Sequence, residues 1–104
     1  MRIFKNKAFT RFARKSGIDD VSICKAVKDV ERGLLDADLG GGVIKQRVAR
    51  SGGGKSGGFR TLILFRIGSL AFIVHGFAKN EQANIDDDEL IALRKLATVM
   101  LAHL

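Results

Sequence analysis

The sequence predicts an α+β fold: an N-terminal helical hairpin packed on a small antiparallel β-sheet, with a C-terminal helix. Three observations carry this expectation. Apolar residues recur at helical intervals as far as Leu34, switch to strand-like runs after Gly42, and return to helical spacing beyond Asp86. Proline is absent and no repeat or interdomain linker interrupts the 104 residues, so one domain over 1–104 is expected.

Lys7 to Lys15 places Phe9, Phe12 and Ala13 on one helical face, and Ser16-Gly17 supplies a stop. Both phenylalanines are expected in the core. Asp19 is a good N-cap for a second helix running to about Arg32, whose stripe is Ile23, Val27, Val30 and Leu34. Cys24 falls on this helix and is expected to be buried. Gly40-Gly41-Gly42 then ends the helical half.

Val43 to Arg50 alternates, with Val43, Lys45, Arg47 and Ala49 on one face and Ile44, Gln46 and Val48 on the other. A glycine-rich loop covers residues 51–58. Phe59 to Ile67 and Leu70 to Phe77 read as a hairpin around Gly68-Ser69, a pair suited to a II′ turn. Its middle is apolar on both faces and should be covered on both sides. Asp86 with Glu89 three residues on is a helix-capping pattern, followed by the stripe Leu90, Leu93, Ala97, Met100 and Leu104. Capping accounts for the Asp86–Asp88 cluster better than a metal site does.

The composition narrows the class. A lone cysteine rules out an internal disulfide and suits a reducing compartment. Lys7, Arg11 and Arg14 interrupt any signal-like apolar segment, and no apolar run reaches the roughly 18 residues of a membrane span. A cytoplasmic protein without membrane partners is expected. The net charge of +7 is localised: from Val43 to Lys79 there are seven basic residues and no acidic ones, while the remainder balances eleven against eleven. Segregation of this kind points to a polyanionic partner.

Ala49-Arg50-Ser51-Gly52-Gly53-Gly54-Lys55-Ser56 satisfies a relaxed phosphate-loop pattern. A nucleotide loop needs a helix after it, so that the helix N-terminus meets the phosphates; here more glycine and a strand follow. The loop is rejected as a nucleotide site, though its glycines still let Lys55 and bare amides approach a phosphate. His75, His103 and Cys24 have no metal-like spacing, no nucleophile triad is evident, and no cofactor is expected. His75 near the end of the last strand stands as a possible acid or base, or simply as a sheet histidine.

The basic set remains. Lys45 and Arg47 share a face; Arg60 opens the next strand after the loop that carries Lys55; Lys79 and Glu81 follow the third strand. Antiparallel pairing brings the start of the second strand towards the end of the third, so Arg60 and Lys79 are expected to meet. Such a cluster suits a scissile phosphate, because arginine stabilises the negative charge that builds on phosphorus. RNA supplies its own nucleophile, the 2′-hydroxyl, so cleavage needs no metal if that hydroxyl is held in line.

The sequence resembles the RelE/ParE superfamily of type II toxins, in the HigB-like branch of RelE toxins. The stretches that carry the resemblance are Gly33 to Lys45, Lys55-Ser56-Gly57-Gly58-Phe59-Arg60-Thr61 and Gly76-Phe77-Ala78-Lys79-Asn80-Glu81. The resemblance implies a RelE-like fold, with an extra strand from Met1 to Phe4, and ribosome-dependent mRNA cleavage without metal that inhibits translation. By the same resemblance Lys45, Arg47, Arg60, Lys79 and Glu81 are the catalytic candidates, with Arg50, Lys55 and Arg66 binding RNA. Asn80 stands where RelE toxins carry a second arginine, and no tyrosine exists to take the stacking role; the proton-transfer parts of Glu81 and His75 stay open. The implied partners are mRNA, the ribosome and a cognate antitoxin with a helix-turn-helix domain, through which alone operator DNA is bound. A ParE-like inhibitor of DNA gyrase and a non-catalytic RNA-binding protein are the alternatives. The sheet-face basic set argues against the first. The absence of Trp and Tyr argues against the second.

Overall fold

A computed structural model describes residues 2–49, 59–78 and 85–102. Asn6 starts the first helix, α1 (Lys7–Ser16): its side chain accepts the Phe9 N–H at 2.8 Å and donates to the Val74 carbonyl at 2.9 Å. One residue thus satisfies an orphan helix donor and ties α1 to the sheet. Gly17, at φ +69°, closes α1 in the left-handed conformation and returns its N–H to Ala13. Asp19 caps α2 (Asp20–Glu31) by accepting the Ser22 N–H, as the sequence predicts.

Five strands form the sheet: β1 (Arg2–Lys5), β2 (Ala37–Gly40), β3 (Val43–Ala49), β4 (Phe59–Ile67) and β5 (Leu70–Phe77), in the order β1-β5-β4-β3-β2. The last helix, α3 (Asp87–Ala102), begins where the Asp86 carboxylate accepts the Glu89 N–H at 2.8 Å. The predicted α+β class and its hairpin around Gly68 (φ +57°) hold. The sheet is not purely antiparallel, however. β1 runs parallel to β5, with Arg2 opposite Leu70, so the sheet is mixed. β2 was not expected, and it pairs antiparallel with β3.

Each face of the sheet carries its own core. Phe9, Ala13, Ile23, Val27 and Val30 of α1 and α2 pack on Ile44, Val48, Leu62, Leu64 and Ile73. On the other face Leu90, Leu93, Ala97 and Met100 of α3 pack with Val43, Ile63, Phe65 and Ile67. β4 is therefore sandwiched, which is why Leu62 through Phe65 is apolar without alternation. Two expectations fail nearby. Leu34 is 60% exposed, because the chain leaves the helix at Gly33, and Cys24 is exposed on the flank of α2.

Gln46 is buried among the apolar residues on the α2 side. Its amide donates to the carbonyls of Ala26 and Leu34 at 3.3 and 3.0 Å, and its oxygen accepts the Asp36 N–H at 2.9 Å. These bonds fasten the chain leaving α2 to β3. Gln46→Leu keeps the volume but strands the Leu34 carbonyl and the Asp36 N–H, and should cost about 2 kcal/mol in urea unfolding. α3 is held at the far edge by Arg94, which donates to the Leu39 carbonyl at 2.9 Å across the turn at Gly40 and Gly41.

Candidate RNA-cleavage site

The alternation expected in β3 is observed, so Lys45 and Arg47 lie on the α3 side of the sheet with Val43. Across β4 and β5 their rows are filled as follows: Lys45 opposes Ile63, which opposes His75, and Arg47 opposes Thr61, which opposes Phe77. His75 reaches this face only because a bulge interrupts the β4–β5 register between Ile63 and Leu64. Val74 is the extra residue; without it His75 would share the opposite face with Ile73. The backbones of Lys45 and His75 are then two strand spacings apart, about 10 Å. His75 is half-buried, with its ring 5.8 Å from Phe77 and its Nε2 buried without a hydrogen-bond partner among the described residues.

Arg47 sits beyond the end of the β2 pairing, on an open stretch of β3, and is exposed. Its Nε lies 3.8 Å from the Asp36 carboxylate, a loose surface pair. From that edge Arg47 also lines a cleft of about 190 Å³ between β3 and α2, together with Ser22, Lys25 and Asp29. Sequence reasoning missed Lys25, because it belongs to a segment whose charges cancel. It missed Thr61 because a lone hydroxyl in a strand carries no signal.

Arg60 opposes Val48, one row from Arg47 but on the α1/α2 side. The basic residues are thus divided: Lys45 and Arg47 share the α3 side of β3, as expected, and Arg60 lies on the other side of the sheet. Arg66 also points to the helical side, where its guanidinium donates to the Val30 carbonyl, 3.4 Å away, at the end of α2. Arg50, Lys55, Lys79 and Glu81, and with them the expected meeting of Arg60 and Lys79, lie outside the described residues.

A mixed sheet with a helical pair on one face and a helix on the other defines a small α+β domain. The profile of the RelE toxin of the RelE/RelB toxin-antitoxin system matches residues 1–104. The chain therefore belongs to the RelE toxin family, as a toxin of a toxin-antitoxin system with an antitoxin as its partner. No curated protein matches the sequence. Among the described residues, no helix is long and apolar enough to cross a membrane.

Proposed function

We propose that the chain is a HigB-like RelE toxin that cleaves mRNA on the ribosome and thereby inhibits translation. The observation that carries this reading is the shared α3-side face of Lys45 and Arg47, two residues apart on β3. In the reaction a 2′-hydroxyl loses its proton and attacks the adjacent phosphorus. The 5′-oxygen leaves with a proton, and a 2′,3′-cyclic phosphate remains. The guanidinium of Arg47 and the ammonium of Lys45 offset the charge that accumulates on the non-bridging oxygens. Arg60 holds the strand from the other side, and Lys79 and Glu81 complete the set. Arg50, Lys55 and Arg66 add contacts to the RNA, and no cofactor is required. The antitoxin carries a helix-turn-helix domain and supplies operator binding for the complex, which acts in the cytoplasm.

Purified protein should cut mRNA on programmed ribosomes, and Arg47→Ala should cut about 100-fold more slowly, the usual effect of losing one charge-stabilising donor. Intact mRNA after incubation with folded protein, with and without ribosomes, contradicts the reading. Replication stopping before translation after induction would favour the gyrase-directed alternative instead.

A further inference from the structure

α1 carries a second basic surface, on the side of the sheet away from Lys45. Lys7, Arg11, Arg14 and Lys15 recur at intervals of three and four and are all exposed, while Phe9 and Ala13 face the core. Lys5, Lys7, Thr10, Arg11 and Arg14 line one open depression of about 280 Å³. From Arg2 to Ile18 there are six basic residues and no acidic one. Asp20, the carboxylate closest by contact, is engaged by Lys5 at 2.9 Å.

Arg14 and Lys15 suit the C-terminal end of the helix, but the rest of the arrangement works against it. Lys7 occupies the first turn, where the macrodipole favours acids, and the like charges Lys7/Arg11 and Arg11/Lys15 repel at four-residue spacing. A merely solubilising surface would intersperse acids, as α2 does with Lys25, Lys28, Asp29 and Glu31. The apolar side of α1 is already spent on the sheet, so the helix cannot also lie in a lipid surface. Lys7 and Arg14 are about 10 Å apart along the axis, a cationic row without any apolar anchor that a peptide partner would need. Thr10 spends its hydroxyl hydrogen on the Asn6 carbonyl, at 2.9 Å, and keeps lone pairs free to accept a 2′-hydroxyl within the same depression.

We infer that the outer face of α1 binds the phosphate backbone of folded, double-stranded RNA, independently of the cleavage end of the sheet. The inference goes beyond the cleavage reading and does not depend on it, since binding is measured without turnover.

The test is fluorescence anisotropy on a 20-base-pair RNA hairpin, with the matching DNA hairpin and polyglutamate as competitors. The triple variant Lys7→Gln/Arg11→Gln/Arg14→Gln should bind RNA at least about 10-fold more weakly at 100 mM salt, and its log–log salt slope should be shallower by about 2 to 3. Lys45→Gln/Arg47→Gln should change this binding less than about 3-fold, and Arg11→Lys/Arg14→Lys should retain it, because phosphate contact needs charge and not fork geometry. Thr10→Val should narrow the preference for RNA over DNA. Unchanged hairpin affinity in the triple variant, with circular dichroism showing an intact fold, overturns the inference. So does equal competition by DNA, or stronger competition by polyglutamate. Loss of mRNA cleavage in Lys45→Gln/Arg47→Gln with hairpin binding retained would separate the two surfaces.

Discussion

Replacing Lys45 and Arg47 together by alanine is expected to slow mRNA cleavage by about 1000-fold, with Tm within about 5 °C of the parent. Each residue sits on the α3 side of β3, one pleat apart, so one phosphate can be reached by both. Loss of a single such donor typically costs a factor of about 100 to 1000, and two donors to one phosphate act as a unit, so the losses do not multiply. The stability effect is small for a separate reason. Arg47 is exposed, and its 3.8 Å pair with Asp36 is the kind of surface contact worth about 1 kcal/mol or less. Single-turnover cleavage on ribosomes beside a thermal melt checks both halves, and a collapse of Tm would assign the pair to folding and not to chemistry.

The second large effect is on the fold. Gly76→Val should lower stability by about 3 kcal/mol and Tm by about 10–20 °C. A Cβ at Gly76 would lie 2.5 Å from two atoms of the Phe12 ring and 3.2 Å from Phe9. The φ of Gly76 is not positive, so the backbone accepts other residues, and at an open position a Gly→Ala change would even stabilise by about 0.5–1 kcal/mol. The clash outweighs that gain, because Phe12 can retreat only by leaving its contact with Phe9 and β5. Phe12→Ala combined with Gly76→Ala should therefore be less destabilised than the two single changes summed. Additive losses in that cycle would refute the close approach.

The features legible in the sequence are those written in local chemistry. Asp19 and Asp86 cap their helices, Gly68 makes its turn, and the alternation in Val43–Ala49 puts Lys45 and Arg47 on one face. What depends on distant partners was not legible. β2 reads Ala-Asp-Leu-Gly, poor strand formers that are extended only because β3 pairs with them. The bulge at Val74 reverses the face of His75, and nothing around Val74 announces it. The start of β4 was read correctly as the place of Arg60, but its face was not legible, because only the register with Val48 turns it away from the side of Lys45. Cys24 was expected inside because cysteine so often is, yet it lies beside the α2 stripe and not on it. The charge count concealed α1 in a different way: its cations cancel numerically against acids on α2 and α3 that are distributed elsewhere in space.

The parallel pairing of β1 bears on the order in which the chain is assembled. Asn6 and Val74, joined by a hydrogen bond, are 68 positions apart. During synthesis the first strand emerges with nothing to pair against, and its place at the sheet edge exists only once the β4–β5 hairpin has been made. Helix α1, whose Phe9 is buried against β5 residues, waits for the same event. The molecule consequently completes itself late and through sequence-distant contacts, a slow route compared with a helical bundle of equal length. A toxin built in this way thus stays unassembled for most of its own synthesis.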